Sequence, residues 1–94
     1  MTKIELFSIF KIMSQSQSLS SLKSGSRAKI AGYVKNCKNS YKMKLLALGL
    51  TRGTEVFKIK TAPLGDPMEI ELRSYRLSLR KAEADVVLVE GEGL

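Results

Sequence analysis

Residues 55–74 read EVFKIKTAPLGDPMEIELRS. Two alternating arms, EVFKIKT and MEIELRS, flank a loop that holds both prolines of the chain, Pro63 and Pro67. Charged and apolar residues alternate in each arm, which is the period of a strand with one buried face. Arms that close symmetrically on a loop at 62–67 put Lys60 opposite Glu69 and Lys58 opposite Glu71. On the other face Ile59 meets Ile70 and Phe57 meets Leu72. Opposite charges then pair outside and apolar residues inside. A slip of one residue would turn the charges inward, so the pattern specifies the register. Within the loop the prolines restrict the backbone, Gly65 supplies a positive φ, and Asp66 can accept hydrogen bonds from nearby backbone N–H groups. Leu64 is apolar at the tip of a polar loop, so it is either tucked under or presented to a partner.

Working outward, RAKIAGYV (27–34) alternates as a first strand. Ala28, Ile30 and Gly32 share one face, and Arg27, Lys29 and Tyr33 the other. After the polar loop 35–39, Asn39 or Ser40 is placed to cap a helix, YKMKLLALG. Tyr41, Leu45 and Leu48 form its inner face at i, i+4 and i+7. Gly49 stands where a left-handed closing residue belongs, with Leu50 packing back on Leu45. Met43 and Leu46 fall off the inner face, rimmed by Lys42 and Lys44, and make either a candidate partner-binding patch or satellite packing against the N-terminal segment. Downstream, Tyr75, Leu77 and Leu79 alternate, Ser78 is placed to cap a helical turn, and DVVLV reads as the last strand. Arg80 and Lys81 can clamp an acidic loop, or form salt bridges to Glu83, Asp85 or Asp66. These elements predict a mainly β fold. It is a small, strongly bent barrel of about five strands, with one short α-helix over about 40–48 and a helical turn near 79–83. Closure would remove the bare apolar face and the edges of a flat sheet.

Ninety-four residues make one domain. Residues 1–18 are expected outside the compact fold, 19–90 form it, and 91–94 fray. Ser14–Ser21 read SQSQSLSS, low in complexity, and Met13 before them is a plausible start of translation. A truncation beginning there is expected to leave thermal stability unchanged. The short apolar IELFSIFKI has the features neither of a signal peptide nor of a membrane span, which needs about 18 apolar residues.

A single cysteine, Cys37, excludes an internal disulfide and fits a reducing compartment. Between Lys35 and Lys38 it reads as an exposed thiol. There is no histidine, hence no ready acid–base group near neutral pH and no imidazole ligand. Catalytic residues, metal ligands and cofactors are accordingly not expected. Charge is divided unevenly. Residues 1–54 carry ten Lys/Arg and one acid, a net of +9, whereas 55–94 carry six Lys/Arg and eight acids, a net of −2. Such a field suits nucleic acid, an anionic membrane surface or an acidic protein.

In order along the chain, LSSLKSGSRAKI, KLLALGLTRGTEV, APLGDPMEIEL and LSLRKAEADVVLV resemble the ferrous iron transport protein A family. The match runs from Leu19 to Val89. The resemblance implies an SH3-like barrel in the cytoplasm, no enzymatic activity and no small-molecule substrate. It also implies docking on the cytoplasmic domain of a bacterial ferrous iron transporter, a membrane protein with a G domain. Lys42, Met43, Leu46, Leu64, Gly65, Asp66 and Arg80 are the residues expected to form the docking surface. The alternative is a nucleic-acid-binding barrel that uses the basic half, with Tyr33 and Tyr41 as stacking platforms. Two positions depart from the family: Arg52 stands where proline is frequent, and Ser74 where glycine is usual before the aromatic residue. Both fall at turns.

Overall fold

The computed structural model describes residues 17–91. The expectations for Met13, for IELFSIFKI and for the last three residues therefore lie outside the described residues. Six strands form one antiparallel sheet: β1 (Gln17–Ser18), β2 (Arg27–Tyr33), β3 (Glu55–Thr61), β4 (Met68–Leu72), β5 (Tyr75–Leu79) and β6 (Val87–Glu90). A 3-10 turn at Leu19–Ser21 follows β1. Helix α1 (Asn39–Ala47) joins β2 to β3, and the short α2 (Lys81–Asp85) joins β5 to β6. The strand order is β1-β6-β2-β3-β4-β5. The two-residue β1 is the strand beyond the expected five; Gln17 pairs with Val89 and Ser18 with Leu88. No ladder joins β5 back to β1 among the described residues, so the sheet bends around its core and keeps two ends.

The core draws one apolar face from every long strand. Ile30, Val56, Ile70, Leu79, Val87 and Val89 are buried, with Leu45 and Leu50 covering them from the α1 side and Leu19 and Leu22 from the N-terminal turn. Side chains of this size contribute about 1.5–3 kcal/mol each on full burial. The end of α1 explains how that helix is stopped and anchored. Gly49 adopts φ +101°, Gly49 N–H donates to Leu46 O and Leu50 N–H donates to Leu45 O. That is the complete Schellman pair, with Leu45 and Leu50 both buried as expected. A side chain at Gly49 would also meet the Tyr75 hydroxyl at 3.0 Å. The start differs from expectation. Helical backbone begins at Asn39, so Lys38 takes the N-cap position and no side chain caps it. Likewise α2 begins at Lys81 rather than 79, and its first N–H groups are not served by Ser78.

Two bulges account for the departures in register. Near the loop the expected pairing holds: Lys60 faces Glu69, Thr61 faces Met68, and Ala62 N–H donates to Pro67 O. The register then shifts between Lys58 and Lys60. Beyond that bulge Lys58 pairs with Ile70, not Glu71, and Phe57 pairs with Glu71, not Leu72. An extra residue on one strand exchanges its faces. Val56 and Lys58 therefore point inward, and Phe57 stays half-buried under the Arg27 guanidinium, 5.5 Å from its ring centre. A second shift, between Ile30 and Gly32 on β2, turns Tyr33 from the outer face onto the core.

Lys58 is the residue most affected. It is 5% exposed, and its ammonium donates to Ser20 O at 3.3 Å. Burial lowers its pKa from the ordinary lysine value. The amine thus holds the N-terminal turn to β3 and is kept charged only against desolvation.

Candidate functional site

The loop between β3 and β4 is held at both ends of its arc. Gly65 N–H donates to Ala62 O at 2.8 Å, and Gly65 takes φ +88°, the left-handed turn its position requires. Asp66 reaches farther: its Oδ1 accepts from the backbone N–H of Lys81 at 2.9 Å, the first residue of α2. A carboxylate there satisfies a free donor and faces the positive end of the helix. Tethered in this way, the loop turns Leu64 outward, and the side chain is 96% exposed. Leu64 is exposed, not tucked.

Helix α2 connects that loop to α1 through Glu83. This carboxylate is 5% exposed; it accepts from Arg80 N at 3.0 Å and from the Lys44 ammonium. The Lys44 hydrogen bond, with the backbone bond from Arg80, holds the Glu83 pKa below its ordinary value against the opposing effect of burial. Asp85, at the other end of α2, accepts from Ser20 Oγ and pairs with Lys81 Nζ at 3.3 Å. The Ser20 bond lowers its pKa too. The loop, α2 and α1 are therefore one hydrogen-bonded frame: Asp66 to Lys81, then Glu83 to Lys44.

On this frame the expected residues take different positions. Met43 is 60% exposed on the outer side of α1, with Lys42 exposed beside it. Leu46 is only half-buried, turned partly toward the body of the domain. Arg80 is exposed and makes no salt bridge among the described residues, while Lys81 pairs with Asp85. Lys44 and Lys42 diverge. Lys44 points to α2, whereas the Lys42 ammonium lies 6.0 Å from the centre of the Tyr33 ring. Lys38 similarly stands 5.8 Å from the ring of Tyr41. The Tyr33 hydroxyl donates to Leu50 O at 2.7 Å, and burial, with the nearby Cys37, pushes its pKa up to about 12. Tyr75 is a further exposed aromatic, and its hydroxyl donates to Leu48 O at the end of α1. Cys37 is half-buried with its Sγ against Lys38 O.

Glu83 is the structural link hardest to foresee. An acid in LRKAE suits a surface salt bridge equally well, and only the place of α2 in the fold, packed beside the N-terminal 3-10 turn and β6, buries it. No group of three or more His, Cys, Asp or Glu among the described residues could hold a metal ion. No helix of the described residues is long and apolar enough to cross a membrane.

The FeoA domain model matches residues 17–91, the same span that folds into the sheet. The chain belongs to the FeoA family. Solved relatives agree. A FeoA-like protein from Clostridium acetobutylicum is 38% identical, with a TM-score of 0.73 over 81% of this chain and 86% of that one. FeoA of Stenotrophomonas maltophilia, solved with zinc, is 28% identical, with a TM-score of 0.69 over 79% of this chain and 89% of its own. That protein is described as a procaryotic SH3 domain protein possibly acting as a ferrous iron transport activating factor. A manganese-dependent transcriptional repressor shares the fold alone, at 10% identity and a TM-score of 0.73, over 82% of this chain and 42% of the repressor. The mainly β, SH3-like architecture expected from the sequence is thus the architecture of this FeoA domain.

Proposed function

We propose that this FeoA-family chain is a non-enzymatic cytoplasmic accessory protein that docks on the cytoplasmic side of a ferrous iron transporter and modulates iron uptake. The observation that carries the reading is the presentation of Met43 and Leu64. Both are large apolar side chains held in solvent on a frame whose own hydrogen bonds fix their positions. Exposed apolar residues on a rigid support, with cations around them, are what a protein partner buries first. Family membership supplies the transport context, and the relative described as a possible activating factor is consistent with a protein partner. Docking would use Lys42, Met43 and Leu46 on α1, Leu64, Gly65 and Asp66 on the loop, and Arg80 before α2. Asp66 acts there as a positioning group, since its carboxylate is engaged with Lys81 N.

The alternative reading, nucleic-acid binding, needs free aromatic faces. Tyr33 and Tyr41 are half-buried and each has a lysine ammonium over its ring, which leaves neither as an open platform. The direct test is a pull-down with the transporter's cytoplasmic domain, with and without guanine nucleotide. Association in either state, lost on Met43→Ser with Leu64→Ser, is the expected result. No association in either state would refute the proposal.

A further inference from the structure

The distribution of charge on the folded chain specifies the partner's chemistry more closely. Among the described residues, every acid except Glu90 already has a partner. Glu55 pairs with Arg27, Glu69 with Lys60, Glu71 with Arg76, Glu83 with Lys44, and Asp85 with Lys81, while Asp66 accepts from Lys81 N. Among the described residues, the cations of the segment 35–52 apart from Lys44 have no such acid. Lys38 and Lys42 rest over Tyr41 and Tyr33, and Arg52 Nη2 lies 3.4 Å from where a side chain on Gly32, the residue before Tyr33, would begin. Two cations thus cover two tyrosines beside the first turns of α1, and the exposed Met43 adjoins Lys42 on the same helix. The first turn of α1 contains no acid and no capping side chain, so the backbone adds to the positive potential there.

We infer that this end of α1 receives an acidic peptide segment bearing an apolar side chain, its carboxylates facing Lys38 and Lys42 and its apolar group covering Met43. The inference rests on reading the outer face of α1 as a docking surface and adds the chemistry of what docks there. Charge complementarity selects the occupant. Among the described residues every acid but Glu90 is committed elsewhere, so an acidic group from outside complements this surface. The single prominent apolar residue fits a segment with one anchor better than it fits a bilayer, which would need a broader apolar face. The covered tyrosine rings argue against stacked bases.

The test uses the full chain and a fluorescent peptide of alternating Glu and Leu, followed by anisotropy. Wild-type binding should weaken by about tenfold or more in Lys38→Glu with Lys42→Glu, and should fall steeply with added salt. Met43→Ser should weaken it by about fivefold, the loss of a partly buried apolar contact. Lys42→Gln alone, on the exposed side of α1, provides a milder charge removal should the double variant fold poorly. Equal affinity for a peptide of alternating Lys and Leu, or indifference to the reversals, overturns the inference. So does tighter, variant-sensitive binding to phosphatidylglycerol vesicles or to a single-stranded oligonucleotide. The same variants assayed on the transporter's cytoplasmic domain separate the two proposals. If that domain binds wild type and charge-reversed chains alike, the acidic-segment inference fails and docking stands. If it binds neither while peptide binding stays variant-sensitive, the inference stands and the transporter reading fails.

Discussion

Replacing Lys58 with Met should make the protein more stable. The lysine stem lies inside the sheet beside Ile70, and only its ammonium needs compensation, which it finds in one 3.3 Å hydrogen bond to Ser20 O. Burying an ammonium costs several kcal/mol after relaxation, and a hydrogen bond to a charged group returns about 1.5–3 kcal/mol. Methionine keeps the length and apolar volume of the stem and removes the charge. The balance favours the variant by about 1–2 kcal/mol. For a domain of this size that raises the melting temperature by roughly 5–15 °C. The pH dependence has a definite sign. Burial lowers the folded-state pKa of Lys58 below the unfolded value. Between those two values the unfolded chain binds more protons, so wild-type stability should rise with pH across that alkaline window. In Lys58→Met this component of the rise should vanish. Thermal melts at neutral and alkaline pH read both effects. A variant destabilised by 1 kcal/mol or more, with the alkaline slope unchanged, would refute the account of Lys58 as a desolvated charge.

Four further substitutions, at Glu83, Ser74 and Leu64, probe the frame, the β4–β5 turn and the exposed loop tip. Glu83→Ala should cost about 2–3 kcal/mol, because Lys44 and the Arg80 N–H both lose a buried acceptor; denaturant unfolding measures it. The Glu83 pKa is depressed, so its contribution is full above the unfolded carboxylate value and is lost as pH falls through the folded one; Glu83→Gln should remove that acid-side loss from the pH profile of stability. Ser74→Gly should stabilise by about 0.5–1 kcal/mol, since Arg73 and Ser74 form the tight β4–β5 turn with φ +48° and +73°. Leu64→Ser should change stability by less than about 0.5 kcal/mol, because the side chain is already in solvent. If a partner buries it fully, its loss should weaken binding by roughly 10- to 100-fold, measurable by calorimetric titration.

Local chemistry carried much of the fold in the sequence, and non-local packing carried the rest. The Schellman close at Gly49 and Leu50 was legible because it depends on a glycine and two leucines within one helical turn. The loop was legible near its prolines, where Lys60 meets Glu69 as the alternation implies. Alternation could not reveal the bulges. A bulge exchanges faces without changing which residues alternate, so Lys58 and Tyr33 were assigned outward and lie inward or against the core. The first and last turns of the helices were misplaced by a residue or two for a related reason: polar residues able to cap were present, but the backbone started elsewhere. For the candidate surface, the exposure of Lys42 and Met43 followed from helical periodicity, whereas Leu46 is half-buried. Whether Leu64 was tucked or presented could not, because the answer depends on Asp66 reaching α2 across fifteen residues of chain. Glu83 joins the two helices through contacts that no local pattern encodes.

The central claim is that the outer face formed by α1, the β3–β4 loop and the start of α2 docks on the transporter's cytoplasmic domain. Amide chemical-shift mapping of isotope-labelled protein, titrated with that unlabelled domain, tests it most directly. The predicted result is a footprint over residues 42–46, 64–66 and 80–81, with β3 and β4 beyond the loop unchanged. A footprint confined to the opposite side, around Glu55, Phe57 and Glu71, or no perturbation at all, would contradict it.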